Sequence, residues 1–200
     1  VLQTTESSFS AITAQREGKV AEALPEHDPR CPFCPGNEKL TPPETYALRQ
    51  DTAPDTPGWT VRCVPNKFPA LMTLDAASEE ARESLKSGMA RLPETTDSSM
   101  YWQIPAIGAH EVLVESTRHD LGLGDYTSEH LSSVMEVLKT RMIALYDRKE
   151  IRYVQVFRNS GPAGGASLAH PHFQIIGLPI VPPRVLLETA RFLQYESTTR

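Results

Sequence analysis

The segment from Asn159 to Gln174, NSGPAGGASLAHPHFQ, constrains this chain more than any other. Gly161, Gly164 and Gly165 remove side chains where a backbone can approach phosphate, and successive N–H groups in such a turn can form an anion-binding nest. The segment lacks the G-K-[ST] of a P-loop and the G-x-G-x-x-G of a dinucleotide fold. If His170 to Gln174 is extended, the side chains of His170, His172 and Gln174 alternate onto one face. Pro171 supplies no N–H, so an edge strand or an irregularity is expected there. A neutral imidazole beside a phosphate nest can attack phosphorus with one ring nitrogen, provided a carbonyl holds the other as a donor. Gln174 and Ser167 could then donate to non-bridging oxygens. The alternative is a flexible turn flanked by two structural histidines.

Cys31 and Cys34 form a C-x-x-C pair, and Cys63 stands alone. Three cysteines make no disulfide framework, and the pattern suits a reducing, cytoplasmic setting with a metal or redox role for the pair. A metal needs two more ligands, for which His110, His119, His130 and His170 are open. His27 is expected to be exposed, His130 to be a solvated helix residue, and Cys63 a small buried one. A redox site of the thioredoxin type lacks its βαβ context here.

Periodicity gives the framework. Leu131, Val134, Met135, Leu138, Met142 and Leu145 recur at helical spacing, which predicts a helix over Ser128 to Asp147. Ser78 to Met89 reads as a shorter helix capped by Ser78. Val185 to Leu193 reads as a last one, with Leu186, Leu187, Ala190 and Leu193 on one face. Strands are expected at Phe9 to Arg16, Trp59 to Val64, Tyr101 to Ile107, Glu111 to Glu115, Ile151 to Phe157 and His172 to Leu178. Ala23 to Pro43 reads as ordered loop and Ala53 to Gly58 as a turn. The fold class is therefore α+β, with a mostly antiparallel sheet and packed helices.

The 200 residues carry a formal net charge of -5 and include no basic, aromatic-laced stripe, which argues against nucleic acid as a partner. No run of about 18 apolar residues occurs, so no membrane span is expected. Val1 to Gly18 lacks the apolar core of a secretion signal.

CPFCPGNE (Cys31 to Glu38), VPNKFPAL (Val64 to Leu71), GAHEVLVESTRH (Gly108 to His119) and HPHFQ, in that order, resemble the galactose-1-phosphate uridylyltransferase family of the histidine-triad superfamily. The resemblance runs from about Phe9 to Pro183. It implies a histidine-triad-like domain over residues 1–200, corresponding to the N-terminal half of the family pattern with the second half outside it. It also implies a covalent nucleotidyl-histidine formed on His172 and a zinc site of Cys31, Cys34, His119 and His170. Phe33, Asn66 and Phe68 would lie by the nucleoside, and Asn159, Ser167 and Gln174 by the phosphates. Core packing for the two phenylalanines and a plain turn for Asn66 are the competing readings. The implied partners are a nucleotide sugar and a sugar 1-phosphate, and a homodimer fits the pattern.

The family's R-x-x-R-P element is matched only by Arg16, with Lys19 and Val20 replacing the second arginine and the proline. Lysine lacks the bidentate fork of arginine. Glu188 falls where some relatives hold a second metal and reads here as an ordinary helix residue. The activity implied is UMP exchange between UDP-glucose and a hexose 1-phosphate. The alternatives are phosphorolysis of an ADP-sugar or a dinucleoside polyphosphate, or a zinc- and nucleotide-binding module without turnover.

Overall fold

The structure is a computed structural model that describes residues 24–90 and 104–199. The strand expected at Phe9 to Arg16, the phosphate-binding role of Arg16 and the start of the Tyr101 to Ile107 strand lie outside the described residues.

Five strands form one sheet: β1 (Tyr46–Arg49), β2 (Trp59–Pro65), β3 (Ala109–Val114), β4 (Tyr153–Phe157) and β5 (His172–Leu178), in the order β1-β2-β3-β5-β4. β2 pairs antiparallel with β1, Tyr46 opposite Cys63, and with β3, Arg62 opposite Val114. Three α-helices are described: α1 (Glu79–Ala90), α2 (Ser128–Tyr146) and α3 (Pro183–Thr199). The α+β expectation, with its mostly antiparallel sheet, therefore stands. β1 was not anticipated, because Ala47, Leu48 and Arg49 have little intrinsic strand preference. Pairing with β2 supplies what propensity does not, beginning with the Thr45 N–H donated to Cys63 O at 2.8 Å.

Contacts divide the chain into two compact units. The first contains the described residues up to Phe68 together with Glu111–Arg141 and Val156–Ile175. Its core holds Cys31, Phe33, Cys34, Trp59, Val64, Val112 and Val114. Burying each valine contributes about 1.5–3 kcal/mol relative to exposure. Arg62 is buried in the same unit. It donates to Glu44 at 2.9 Å, Asp55 at 2.7 Å and the Thr41 hydroxyl at 2.9 Å, so its charge is compensated.

The second unit comprises Pro69–His110, Met142–Gln155 and the residues from Ile176 onward. Ala77, Leu85 and Ile107 form its core. Ser78 Oγ accepts the Ala81 N–H at 3.2 Å, the expected helix cap. The chain at Gly108 passes so close to Gly177 that a Cβ would lie 2.1 Å from the Gly177 carbonyl oxygen, so only glycine fits there. Residues 104–107 form no regular strand. Ile107 instead makes a single parallel bridge to Met72, and β3 begins at Ala109.

Two helical faces differ from the periodic reading. α2 buries Val134, Val137, Leu138 and Leu145, whereas Met135 is exposed. Val137 and Leu138 flank the direction of Val134 on either side, whereas Met135 lies about 100° around from it, at the edge of the stripe. α3 is longer than expected, and Leu186, Leu187, Ala190 and Leu193 are exposed. Pro171 is not within a strand at all. It immediately precedes β5, where its missing N–H costs no ladder bond, and β5 lies between β3 and β4.

Candidate functional site: a histidine beside a cavity and a Cys-His cluster

The cysteine pair sits on a turn built by its own backbone. Cys34 N–H donates to Cys31 O at 3.2 Å, and the Asn37 amide reaches Cys31 O at 2.9 Å. The buried Glu38 carboxylate accepts the Gly36 N–H at 3.0 Å and the Trp59 indole N–H at 2.9 Å, tying the turn to β2. Phe33 N–H points at Cys31 Sγ (3.4 Å) and Asp28 N–H at Cys34 Sγ (3.3 Å), so each sulfur accepts one backbone N–H.

One ligand atom from each of Cys31, Cys34, His119 and His170 lies within 4.8 Å of the others, and all four residues are buried. Four ligands around a tetrahedral zinc would stand about 3.3–3.8 Å apart. Cys34 Sγ is 3.5 Å from Nδ1 of both His119 and His170. His170 Nε2 donates to Ser116 O at 2.8 Å, which leaves its Nδ1 lone pair facing the cluster. Burial pushes the His170 imidazolium down to about pKa 4, so the ring is neutral near pH 7, as a ligand must be. Burial pushes the Cys31 thiol up to about 11. A bound cation would offset that cost. The four residues therefore fit a closed metal site.

Of the other histidines considered as ligands, His110 Nδ1 accepts the Ala70 N–H at 3.1 Å and lies outside the cluster. His130 is not the solvated residue expected, because its Nε2 donates to Glu115 O at 2.8 Å. His27 is exposed as expected. Cys63 is buried and directs its thiol at Glu111 Oε2, 3.3 Å away.

His172 opens β5, two residues from His170. Its Nδ1 is 2.8 Å from the His170 carbonyl oxygen, a distance at which Nδ1 carries the proton and Nε2 the lone pair. The Phe33 ring packs against it edge-on, with centroids 5.3 Å apart. The His172 side chain lines a cavity of about 520 Å³ together with Ser167 and Gln174. Phe33, Asn66 and Phe68 line it too.

Phe33 belongs both to the core and to the cavity wall, whereas Phe68 is 83% exposed and is no core residue. Asn66 is also a turn residue, as its Oδ1 accepts the Phe68 N–H at 2.9 Å. Asn159 and Gly161 are not in the lining. The Asn159 amide instead reaches Gly165 O at 3.4 Å and braces the glycine loop. Glu188 pairs with Arg184 at 2.9 Å, one helical turn away on the surface.

The remaining walls come from residues that were not singled out, among them Leu40, Thr41, Pro42, Lys67 and Leu168. Lys67 is the one lysine or arginine in the lining, which contains no carboxylate. Its position inside the V-P-N-K-F motif was a usable signal. Thr41 caps the short turn from Glu38, whose carbonyl accepts its hydroxyl at 2.8 Å, and its hydroxyl also accepts from Arg62, 21 residues away.

Residues 3–182 match the model of the galactose-1-phosphate uridyl transferase N-terminal domain. The chain belongs to this family. It is 32% identical over 183 residues to an ADP-glucose phosphorylase of Arabidopsis thaliana, covering 88% of this chain and 46% of that protein. It is 26% identical over 212 residues to a galactose-1-phosphate uridylyltransferase of Neurospora crassa, covering 90% and 50%. Among solved structures, the Arabidopsis ADP-glucose phosphorylase with bound ADP-glucose matches at TM-score 0.66 and 28% identity, over 92% of this chain and 50% of that one. A uridylyltransferase structure matches at TM-score 0.59 and 28% identity, over 90% and 47%. The chain thus spans about half the length of the relatives it matches. The fold is the histidine-triad-like fold of this family. No helix among the described residues is long and apolar enough to cross a membrane.

Proposed function

We propose that this chain carries the nucleotidyl-accepting site of a transferase that works through His172. The observation supporting this most directly is the ring of His172, held by Nδ1 on the His170 carbonyl while its side chain lines the cavity beside Ser167 and Gln174. In the first half-reaction Nε2 attacks the α-phosphorus of a nucleotide sugar. An N–P bond forms, and the P–O bond to the sugar phosphate breaks with its electron pair on the departing oxygen. In the second, a phosphate oxygen of the acceptor attacks the same phosphorus, the N–P bond breaks, and the imidazole is restored.

The leaving group is already a phosphate, so little proton transfer is required. The rate then depends on positioning and on donors aimed at the phosphoryl oxygens. The His170 carbonyl retains the Nδ1 proton throughout and stabilises the charge that develops on the ring. Gln174 and Ser167 would serve the non-bridging oxygens, and Lys67 would offset the phosphate charge. The Asn159 amide would contact the phosphates from the glycine loop, and Gly161 would let the loop backbone approach them. Phe33, Asn66 and Phe68 would hold the nucleoside.

Cys31, Cys34, His119 and His170 would hold zinc in a structural role, rigidifying the backbone on either side of Pro171. The donor and acceptor are UDP-glucose and a hexose 1-phosphate, in a cytoplasmic enzyme that forms a homodimer. A second reading, ADP-glucose with inorganic phosphate as acceptor, is favoured by the higher identity and TM-score of the Arabidopsis ADP-glucose phosphorylase.

Rapid mixing with UDP-glucose or ADP-glucose tests this. A burst of glucose 1-phosphate equivalent to one per chain with one of the two donors is expected, and the productive donor identifies the base. No burst with either would mean a binding module without turnover.

A further inference from the structure

The loop from Arg158 to Pro171 joins β4 to β5 and brings Ser167 and Leu168 to the cavity. Residues 160–165 are exposed, and Gly161 and Gly165 hold φ of 67° and 77°, values in the left-handed region. Glu115, immediately after β3, has no exposed surface. Its carboxylate accepts the Arg158 Nε–H at 2.6 Å, at the root of the loop. Its backbone N–H donates to Pro171 O at 3.2 Å, at the loop's far end between His170 and His172. The Tyr126 hydroxyl adds a third tie at 3.1 Å, and His130 holds the Glu115 carbonyl at 2.8 Å. One buried residue thus fixes both ends of a segment whose middle is glycine-rich and solvated.

We propose that Glu115, through Arg158 and Pro171, is a positioning residue that pre-orders the 158–171 loop for the phosphates of the nucleotide. This rests on the nucleotide-binding reading of the cavity given above. A loop already ordered binds phosphate without the entropic cost of ordering, so loss of the clamp falls on affinity more than on the chemical step.

The test uses Glu115→Gln, Arg158→Gln and Arg158→Lys in the zinc-loaded chain, with hydrogen exchange over residues 159–169 and the kinetics of the glucose 1-phosphate burst. Exchange is expected to quicken about tenfold in Glu115→Gln and Arg158→Gln, and to stay near wild type in Arg158→Lys, which keeps the charge. The half-saturating donor concentration should rise about tenfold while the rate at saturation falls by less than about threefold. Metal content should be unchanged.

If Glu115→Gln does not fold, Arg158→Gln carries the test. Unchanged exchange over 159–169 in a folded variant overturns the clamp. So does an unchanged half-saturating concentration where the wild type gives a burst. A wild type without a burst removes the proposed function instead, and the clamp is then judged on exchange and metal content alone.

Discussion

Replacing Arg62 with methionine should destabilise the chain by about 3 kcal/mol, the low end of the range for breaking a buried ion pair. The Arg62 side chain is 1% exposed and reaches Glu44, Asp55 and Thr41 at once. Methionine fills much of the volume and leaves Glu44, itself 7% exposed, with fewer donors. Two features keep the cost at the low end. Arg49 still donates to Glu44, and Asp55, 37% exposed, can recover water. For a chain of this size the loss corresponds to a midpoint shift of about 6–12 °C. Arg62→Lys, which keeps a point charge without the fork, should cost about half as much. Urea unfolding followed by far-ultraviolet circular dichroism measures both. Because Thr41 lines the cavity and Arg62 holds it, nucleotide affinity should fall as well. A destabilisation under about 1 kcal/mol for Arg62→Met would show that the buried network is not what anchors this wall.

Three further outcomes follow from the site. Cys34→Ser, which removes the sulfur contacting both His119 and His170, should lower bound zinc from one per chain to substoichiometric levels and depress the melting temperature, as read by metal analysis and calorimetry. In the metal-free chain, His170 has a folded-state pKa of about 4 against an ordinary 6.5, so between these values the unfolded state binds more protons than the folded one. Stability from this group is complete above pH 6.5 and is lost as the pH falls towards 4, at up to about 1.4 kcal/mol per pH unit; urea midpoints should follow that slope in wild type and flatten in His170→Gln. Lys67→Met should weaken nucleotide binding about threefold and reduce its dependence on salt, measured by titration calorimetry at two ionic strengths.

What the sequence made legible was local. The β5 boundaries, the Ser78 cap and the α2 span follow from alternation, cap chemistry and helical period within short windows. The ligand set was not legible from spacing, which left four histidines open. Resemblance narrowed the choice, and the fold brings Cys31, Cys34, His119 and His170 together from positions up to 139 residues apart. What escaped depends on partners distant in sequence. β1 exists because β2 pairs with it, and Arg62 reaches the Thr41 hydroxyl from 21 residues away. His130 is drawn in by the Glu115 carbonyl. Glu115 looks like one more polar residue after a strand, and its buried pairing with Arg158 spans 43 positions. Asn159 and Gly161 show the limit of adjacency in sequence. Their loop brings Ser167 and Leu168 to the cavity, whereas neither Asn159 nor Gly161 is in its lining.

The central claim is that His172 carries a nucleotidyl group, and intact-mass spectrometry after incubation with UDP-glucose or ADP-glucose tests it most directly. One UMP or AMP mass per chain is expected in the wild type and none in His172→Ala, with zinc content equal in the two. An adduct that persists in His172→Ala, or its absence from the zinc-loaded wild type with both donors, would contradict the account.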